Sequence, residues 1–465
     1  MLFIVAVLFV IGLIHLYLWK RLVRDPLRPG IGRRIGTTVV LLLAALVPLT
    51  LIGVRNGYFK WLSWPGYLWI AVMFYLLVTL AVMEIPRLIV DRLWVRAGGG
   101  TKTGNEDEAV PAAHNDTAHS NTSRSNMVVG EKSAELEATT AEKIAEATAT
   151  AGKKAAGAEG NDGTTVDRMT VDGTTVDGTG GGKTARDDGD RAGVERRLLL
   201  SRGAAIFAGL TAAGVTGYGV RIATGMPQID RFQMPMAKLP RAMDGTRLAV
   251  VSDIHIGPLT GVDHARRIVQ VINSVNADLV CVVGDLVDGS VAELGRFAAP
   301  LADIQSRHGA FFVTGNHEYY SGAEEWVQEV DRLGIRPLRN ERVAINGLDL
   351  AGVNDLTGAQ QGDPADYARA LGDRDTARPV VLMAHQPVAA RDAAPYGVDL
   401  QVSGHTHGGQ MAPFNMLVKL QQPVVSGFGE VDGVPVYVTN GAGFWGPPVR
   451  VGAPPQVTVI ELRVA

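Results

Sequence analysis

The chain is short of two things that would have narrowed its class quickly. Among its 465 residues there is one cysteine, Cys281. No internal disulfide can form, and its place in the apolar run LVCVVG reads as a buried small hydrophobe. An excess of one charge is also missing: 44 Lys and Arg against 47 Asp and Glu leave a formal net charge of −3. There is no basic stripe with interleaved aromatics, so no nucleic acid partner is expected. Residues 97–195 have no aromatic residue at all. Gly, Thr, Ala, Asp and Glu dominate that stretch, and TVD recurs at 165, 170 and 175. Such a composition cannot bury enough apolar surface to offset the entropy of ordering, and a disordered linker is expected there.

What is present is unevenly spread. MLFIVAVLFVIGLIHLYLW (1–19), TTVVLLLAALVPLTLIGV (37–54) and PGYLWIAVMFYLLVTLAVM (65–83) are apolar runs, each close to the roughly 20 residues that cross a bilayer. ERRLLLSRGAAIFAGLTAAGVTGYGV (195–220) reads as a fourth span and also resembles a twin-arginine export segment set inside the chain. His15, within the first run, is expected to face a neighbouring helix. Lys20, Arg21, Arg24, Arg28, Arg33 and Arg34 fill the first loop, Arg87, Arg92 and Arg96 follow the third span, and Arg196 and Arg197 precede the fourth. Only Arg55 and Lys60 lie between the second and third. Positive loops stay in the cytoplasm, so the N-terminus and everything after residue 221 are expected outside. The expected division is a membrane region over 1–96 with three transmembrane helices, a linker over 97–195, a fourth span over 196–222 and a globular domain over 243–465.

In the globular part, apolar runs that end in polar residues alternate with helical spacing: TRLAVVSDIH (246–255), a helix over 261–275, DLVCVVGDLVDG (278–289), a helix over 292–306, GAFFVTGNHE (309–318) and a helix over 323–334. This is the pattern of parallel βαβ units. Strands at 342–353, 379–385, 398–404, 434–440 and 456–463 follow with little helix between them, and a layered α/β sandwich of two sheets fits.

In open α/β sheets, ligands sit beyond the carboxyl ends of the strands. Here those ends carry Asp253, His255, Asp285, Asn316, His385, His405 and His407. Carboxylates, imidazoles and an amide without sulfur suit Mn, Fe or Zn. Seven donors are too many for one tetrahedral ion and enough for two divalent ions sharing a carboxylate. Asp253 and His255, one residue apart, are expected on one face of an extended segment, as are His405 and His407. Gly404, Gly408 and Gly409 allow close approach and a sharp turn. Two ions roughly 3.5–4 Å apart can clamp a displacement at phosphorus. His317 is left over as a proton donor, with Glu318 to orient it and Asp288 as outer support. Arg450 is the cationic candidate for gripping phosphate. Asn354 and Asp355 are candidates for substrate contact, and His264 and His308 are expected on the surface.

SDIH (252–255), GDLVD (284–288), GNHE (315–318), AHQP (384–387) and GHTHGG (404–409) together resemble the calcineurin-like metallophosphoesterases, over about 243–465. GNHE stands where that family more commonly has GNHD. The resemblance implies a four-layer αββα sandwich. It also implies one metal on Asp253, His255, Asp285 and His407, and a second on Asp285, Asn316, His385 and His405, with His317 as the acid. The preceding spans and the tail GFWGPPVRVGAPP (443–455) look like a bacterial membrane-associated branch of the family. The expected function is a multi-pass cell-membrane phosphoesterase for phosphomonoesters or phosphodiesters, with its catalytic domain extracytoplasmic. Lipid-linked or cell-wall phosphate and a nucleotide diphosphate linkage are the substrate options, and a non-catalytic metal-binding sensor or scaffold is the rival.

Overall fold

The computed structural model describes residues 2–55, 58–90 and 184–465. Most of the linker expected over 97–195 lies outside the described residues. Among the described residues, four helices are long and apolar enough to cross a membrane: α1 (Leu2–Trp19), α2 (Ile31–Arg55), α3 (Ser63–Val90) and α4 (Thr184–Ala223). α4 begins as a helix at Thr184, and its candidate span runs Glu195–Ala223.

The chain divides into two compact units, Met1–Val40 with Leu77–Ala208, and Leu41–Leu76 with Gly209–Ala465. In the first, Glu84 accepts from Tyr17 Oη at 3.1 Å and pairs with Arg21, while Trp19 Nε1 donates to Thr37 Oγ1 at 2.9 Å. His15 is buried and bonds through Nδ1 to the Ile11 carbonyl at 2.9 Å, within its own helix.

The second unit holds two six-stranded sheets. One runs β1 (Gln228–Met236), β12 (Gln456–Val464), β2 (Thr246–Val251), β3 (Leu279–Val283), β4 (Ala310–Val313), β5 (Ile335–Pro337). The other runs β10 (Gly427–Val431), β11 (Val434–Val438), β9 (Leu400–Ser403), β8 (Val380–Met383), β7 (Leu348–Gly352), β6 (Glu341–Ile345). β2 to β5 are mutually parallel, as are β7, β8, β9 and β11. The run 342–353 is a hairpin and not one strand, because Asn346 and Gly347 both take positive φ at its centre and turn the chain in two residues.

Strands buried on both faces explain the unbroken apolar runs. Leu248, Val250, Cys281, Val283 and Phe311 face Leu350, Val381, Met383 and Val402 between the sheets. The outer face of the first sheet, with Val251, Val282 and Phe312, packs on α5 (Val262–Ser274), α6 (Val291–Ala298) and α8 (Ala323–Arg332) through Ile268, Leu294 and Trp326. The outer face of the second, with Ala351, Leu382 and Val436, packs on Ala370 and Leu371 of α9 (Tyr367–Leu371) and Ala390 and Ala393 of α10 (Ala390–Ala393). The result is the four-layer αββα sandwich.

Candidate metal centre

The carboxyl ends of β2, β3, β4, β8 and β9 deliver their loops to one place. Asp253, His255 and His407 offer ligand atoms all within 4.8 Å of one another, and Asp285, His385 and His405 do the same. His255 Nε2 lies 3.0 Å from His407 Nε2 and 3.8 Å from Asp285 Oδ2; His407 Nε2 is 3.3 Å from Asp253 Oδ1. Asn316, at the start of α7 (Asn316–Ser321), puts Oδ1 3.0 Å from His405 Nδ1. All seven sequence-derived positions therefore meet, with Asp285 between the two groups.

The local geometry differs from the expectation. Asp253 and His255 are not alternate residues of an extended strand: β2 ends at Val251, and both have left-handed φ, 53° and 49°. Asp285, His405 and His407 share that conformation, at 53°, 70° and 52°. Side chains of i and i+2 converge here through single left-handed residues, a costly backbone state that clusters at functional sites. Close approach explains two glycines. A Cβ on Gly404 would run into Ser252 Oγ, and one on Gly315 into Asp285 Oδ1.

Each brace is visible. His255 Nδ1 lies 2.9 Å from Asp288 Oδ1, and His385 Nδ1 lies 2.8 Å from the Val283 carbonyl. Both partners only accept, so both histidines carry hydrogen on Nδ1 and turn a bare Nε2 inward. His385 Nε2 is buried without a hydrogen-bond partner, although it lies 3.1 Å from Asp285 Oδ2. Two lone-pair atoms facing each other in a buried site require a positive charge between them, either a proton or a metal ion. Burial alone would lower the His385 pKa, but Asp285 outweighs it and raises it well above the usual range. The other two imidazoles resist protonation. Burial and then His385 push His405 down to about 3, and burial and then Arg450 depress His407. The donor set therefore fits divalent cations.

Three outer residues behave differently from expectation. Glu318 does not orient His317; its carboxylate accepts the backbone N–H groups of Asp285 (2.9 Å), Leu286 (2.7 Å) and Gly315 (2.6 Å). Burial and Asp285 push its pKa up to about 7, against the pull of those N–H groups. Asp288 takes the orienting role, with Oδ1 2.7 Å from His317 Nδ1 while it also holds His255. Burial would raise the Asp288 pKa, but His255 and His317 hold it below the carboxylate range. Burial would lower His317, but Asp285 and Asp288 raise it to about 9.

Arg450 does not face a substrate either. It is fully buried behind His407 and donates to the carbonyls of His407 (2.8 Å), Asn440 (2.8 Å), Ala453 (3.2 Å) and Gly443. Burial lowers its pKa to about 10. Its Nη2 also lies 3.1 Å from His407 Nδ1. A guanidinium only donates, so in this arrangement His407 Nδ1 accepts from Nη2, which also contacts the Gly443 carbonyl.

Asn354 and Asp355 are buried: Asn354 donates to Asp363 Oδ1 at 2.7 Å, and Asp355 accepts from Gln386 Nε2 at 3.1 Å. His264 is buried too, with Nε2 3.1 Å from the Ile254 carbonyl, and burial lowers its pKa to about 4. It props the turn that carries Asp253 and His255. Asn316, His317 and His405 are the half-exposed donors, so the site opens on their side. Tyr320 and Trp445 flank His317 there, with ring centroids at 5.4 and 6.1 Å. Residue patterning singled out neither aromatic; Trp445 lies in the run GFWGPPVR, and Tyr320 follows GNHE two residues on.

The calcineurin-like phosphoesterase family model matches residues 246–409. An uncharacterized metallophosphoesterase from Aquifex aeolicus is 34% identical over 243 residues, which is 51% of this chain and 92% of that protein. The chain belongs to the calcineurin-like phosphoesterase family. A transmembrane protein with metallophosphoesterase domain from Danio rerio is 36% identical over 274 residues, covering 56% of this chain and 63% of that one. An uncharacterized metallophosphoesterase from Helicobacter pylori is 37% identical over 239 residues, covering 51% and 64%. The chain thus spans under two thirds of the length of these last two relatives. Calcineurin-like phosphoesterases are generally hydrolases that bind divalent metals, and four apolar helices accompany the domain here.

Proposed function

We propose that this protein is a membrane-anchored, dinuclear-metal phosphoesterase that hydrolyses phosphomonoester or phosphodiester bonds outside the cytoplasmic membrane. Asp253, His255, Asp285 and His407 would hold one divalent ion, and Asp285, Asn316, His385 and His405 the other. The observation that carries the reading is the convergence of five loops on a buried His385 Nε2 that has no hydrogen-bond partner. When bound, such ions supply Lewis acidity to phosphoryl oxygens and lower the pKa of an attacking water.

The protein's own groups do the rest. Asp288 holds His317 by Nδ1, which turns its Nε2 edge away from the carboxylate. Held there, the imidazole can, when protonated, give a proton to the leaving oxygen. Asp288 spans both roles, since the same oxygen fixes His255. Glu318 keeps the Asp285 and Gly315 loops in register.

The location rests on two supports. Lys60, between α2 and α3, pairs with Glu293 of the catalytic domain at 2.8 Å, and the Gly219 carbonyl near the end of α4 accepts the Arg450 N–H at 3.0 Å. Both contacts support a domain on the side of the poorly charged loop, and the positive clusters favour the other side as cytoplasmic.

Full-length protein, stripped of metal in detergent and resupplied with Mn, Fe, Zn or Co, is expected to hydrolyse p-nitrophenyl phosphate or its diester with at least one metal. No hydrolysis with any, alongside tightly held metal, favours a sensor or scaffold. A sugar nucleotide diphosphate in the same panel separates a pyrophosphatase from a simple esterase. An extracytoplasmic reporter fused after residue 240 should be active, and one after residue 100 silent; the reverse pattern overturns the orientation.

A further inference from the structure

Two segments tied to the loop of His405 and His407 carry apolar side chains that the rest of the domain leaves uncovered. Phe414 (46% exposed), Met416 (69%), Leu417 (56%) and Leu420 (81%) lie on or beside the short helix α11 (Asn415–Val418), and Trp445 is 57% exposed. Single exposed apolar residues are ordinary, but four within the seven residues 414–420 are not. Both segments are tied to the metal loop. Asn415 packs on Gly409, and Gln410 exchanges hydrogen bonds with Trp445, donating to its carbonyl at 2.9 Å and accepting its N–H at 3.0 Å.

The Trp445 loop also touches the apolar helices. The Arg450 N–H bonds to Gly219, a few residues before α4 ends at Ala223, and Val449 packs against the bare face of that glycine. Gly446 sits against Tyr67, near the start of α3, 3.6 Å from where a Cβ would stand. One loop therefore carries Trp445 beside His317 and rests on the ends of two candidate spans. Trp is enriched at the headgroup level of bilayers. A short apolar helix followed by Lys419 has the make-up of an interfacial segment.

We propose that Phe414, Met416, Leu417, Leu420 and Trp445 form a rim that docks into the interfacial layer of the bilayer crossed by the chain's own helices. Docked in this way, the site takes a phosphate borne by a membrane lipid. The substrate half of this inference rests on the phosphoesterase reading; the docking half does not. In the reaction, the oxygen of water bonds to phosphorus and loses its proton to solvent, the P–O bond to the lipid breaks with its electron pair staying on the lipid oxygen, and that oxygen takes a proton from His317, which regains one from solvent water.

The test uses the full chain in phosphatidylcholine vesicles containing phosphatidic acid. Leu420→Cys is labelled with an environment-sensitive fluorophore; the native Cys281 is buried in β3. Quenching by nitroxide lipid and protection from aqueous iodide are expected, and quenching by iodide alone overturns docking whatever the activity. Met416→Asp with Leu420→Asp should cut hydrolysis of vesicle phosphatidic acid at least about tenfold while p-nitrophenyl phosphate turnover stays within about twofold. An equal fall on both substrates, or no fall on either, overturns lipid presentation. If the unmodified chain turns over neither substrate with any metal, the phosphoesterase reading fails and takes the substrate half with it. The quenching result still decides docking.

Discussion

The two sheets bring unlike chemistry to the same point. The first supplies every oxygen donor, Asp253, Asp285 and Asn316, together with His255, whereas the second supplies imidazoles alone, His385, His405 and His407. Their braces are unlike too. On the first side a buried carboxyl group, Glu318, gathers three backbone N–H groups. Behind the second a buried cation, Arg450, gathers four carbonyls. Neither half is a site by itself. Packing the sheets face to face creates the donor set, and a buried acceptor and a buried donor, Glu318 and Arg450, hold the loops that carry it.

The comparison can be broken most sharply at the shared carboxylate. Asp285→Asn removes the charge common to both groups, and metal content should fall from roughly two ions to fewer than one per chain, with turnover abolished. Retention of both ions by atomic emission would refute the sharing. His317→Ala should keep the metals and lower kcat by about 10²–10⁴-fold on alkyl phosphates, with a much smaller fall on a nitrophenyl leaving group. Equal losses on both leaving groups would remove its role as an acid.

The braces come next. Glu318→Ala strands three buried N–H groups and should cost about 3 kcal/mol in thermal unfolding and about 10–100-fold in metal affinity. Arg450→Met strands carbonyls but also removes a buried charge with no carboxylate partner, so a loss of about 1–2 kcal/mol is expected. If Arg450→Met proves the more damaging of the two, the proposed asymmetry is wrong. Lys60→Ala breaks a half-exposed pair and should change stability by less than about 1 kcal/mol.

The strands that carry donors were legible because burial on both faces leaves unbroken apolar runs such as LVCVV and AFFV. β1 was not, since an edge strand with Arg231, Gln233 and Pro235 has no such run. β10, short and bearing two glycines, was missed for the same reason. The donors announced themselves by type and by their place after a strand. The roles of Glu318, Arg450 and His264 did not, because their partners are backbone groups, and backbone groups leave no mark in a residue pattern. The pleat expected for Asp253 and His255 failed because nothing in their identity signals a left-handed φ.

By itself the amino-acid order determined the apolar helices, the alternation of buried strand and helix, and which side chains could bind metal. These follow from hydropathy, periodicity and donor chemistry, all of which are local. The tertiary structure alone decided that those side chains share one centre, that Asp288 and not Glu318 holds His317, and that Arg450 lies behind His407. Distances between loops far apart in sequence depend on how the two sheets pack, and no short stretch of residues encodes them.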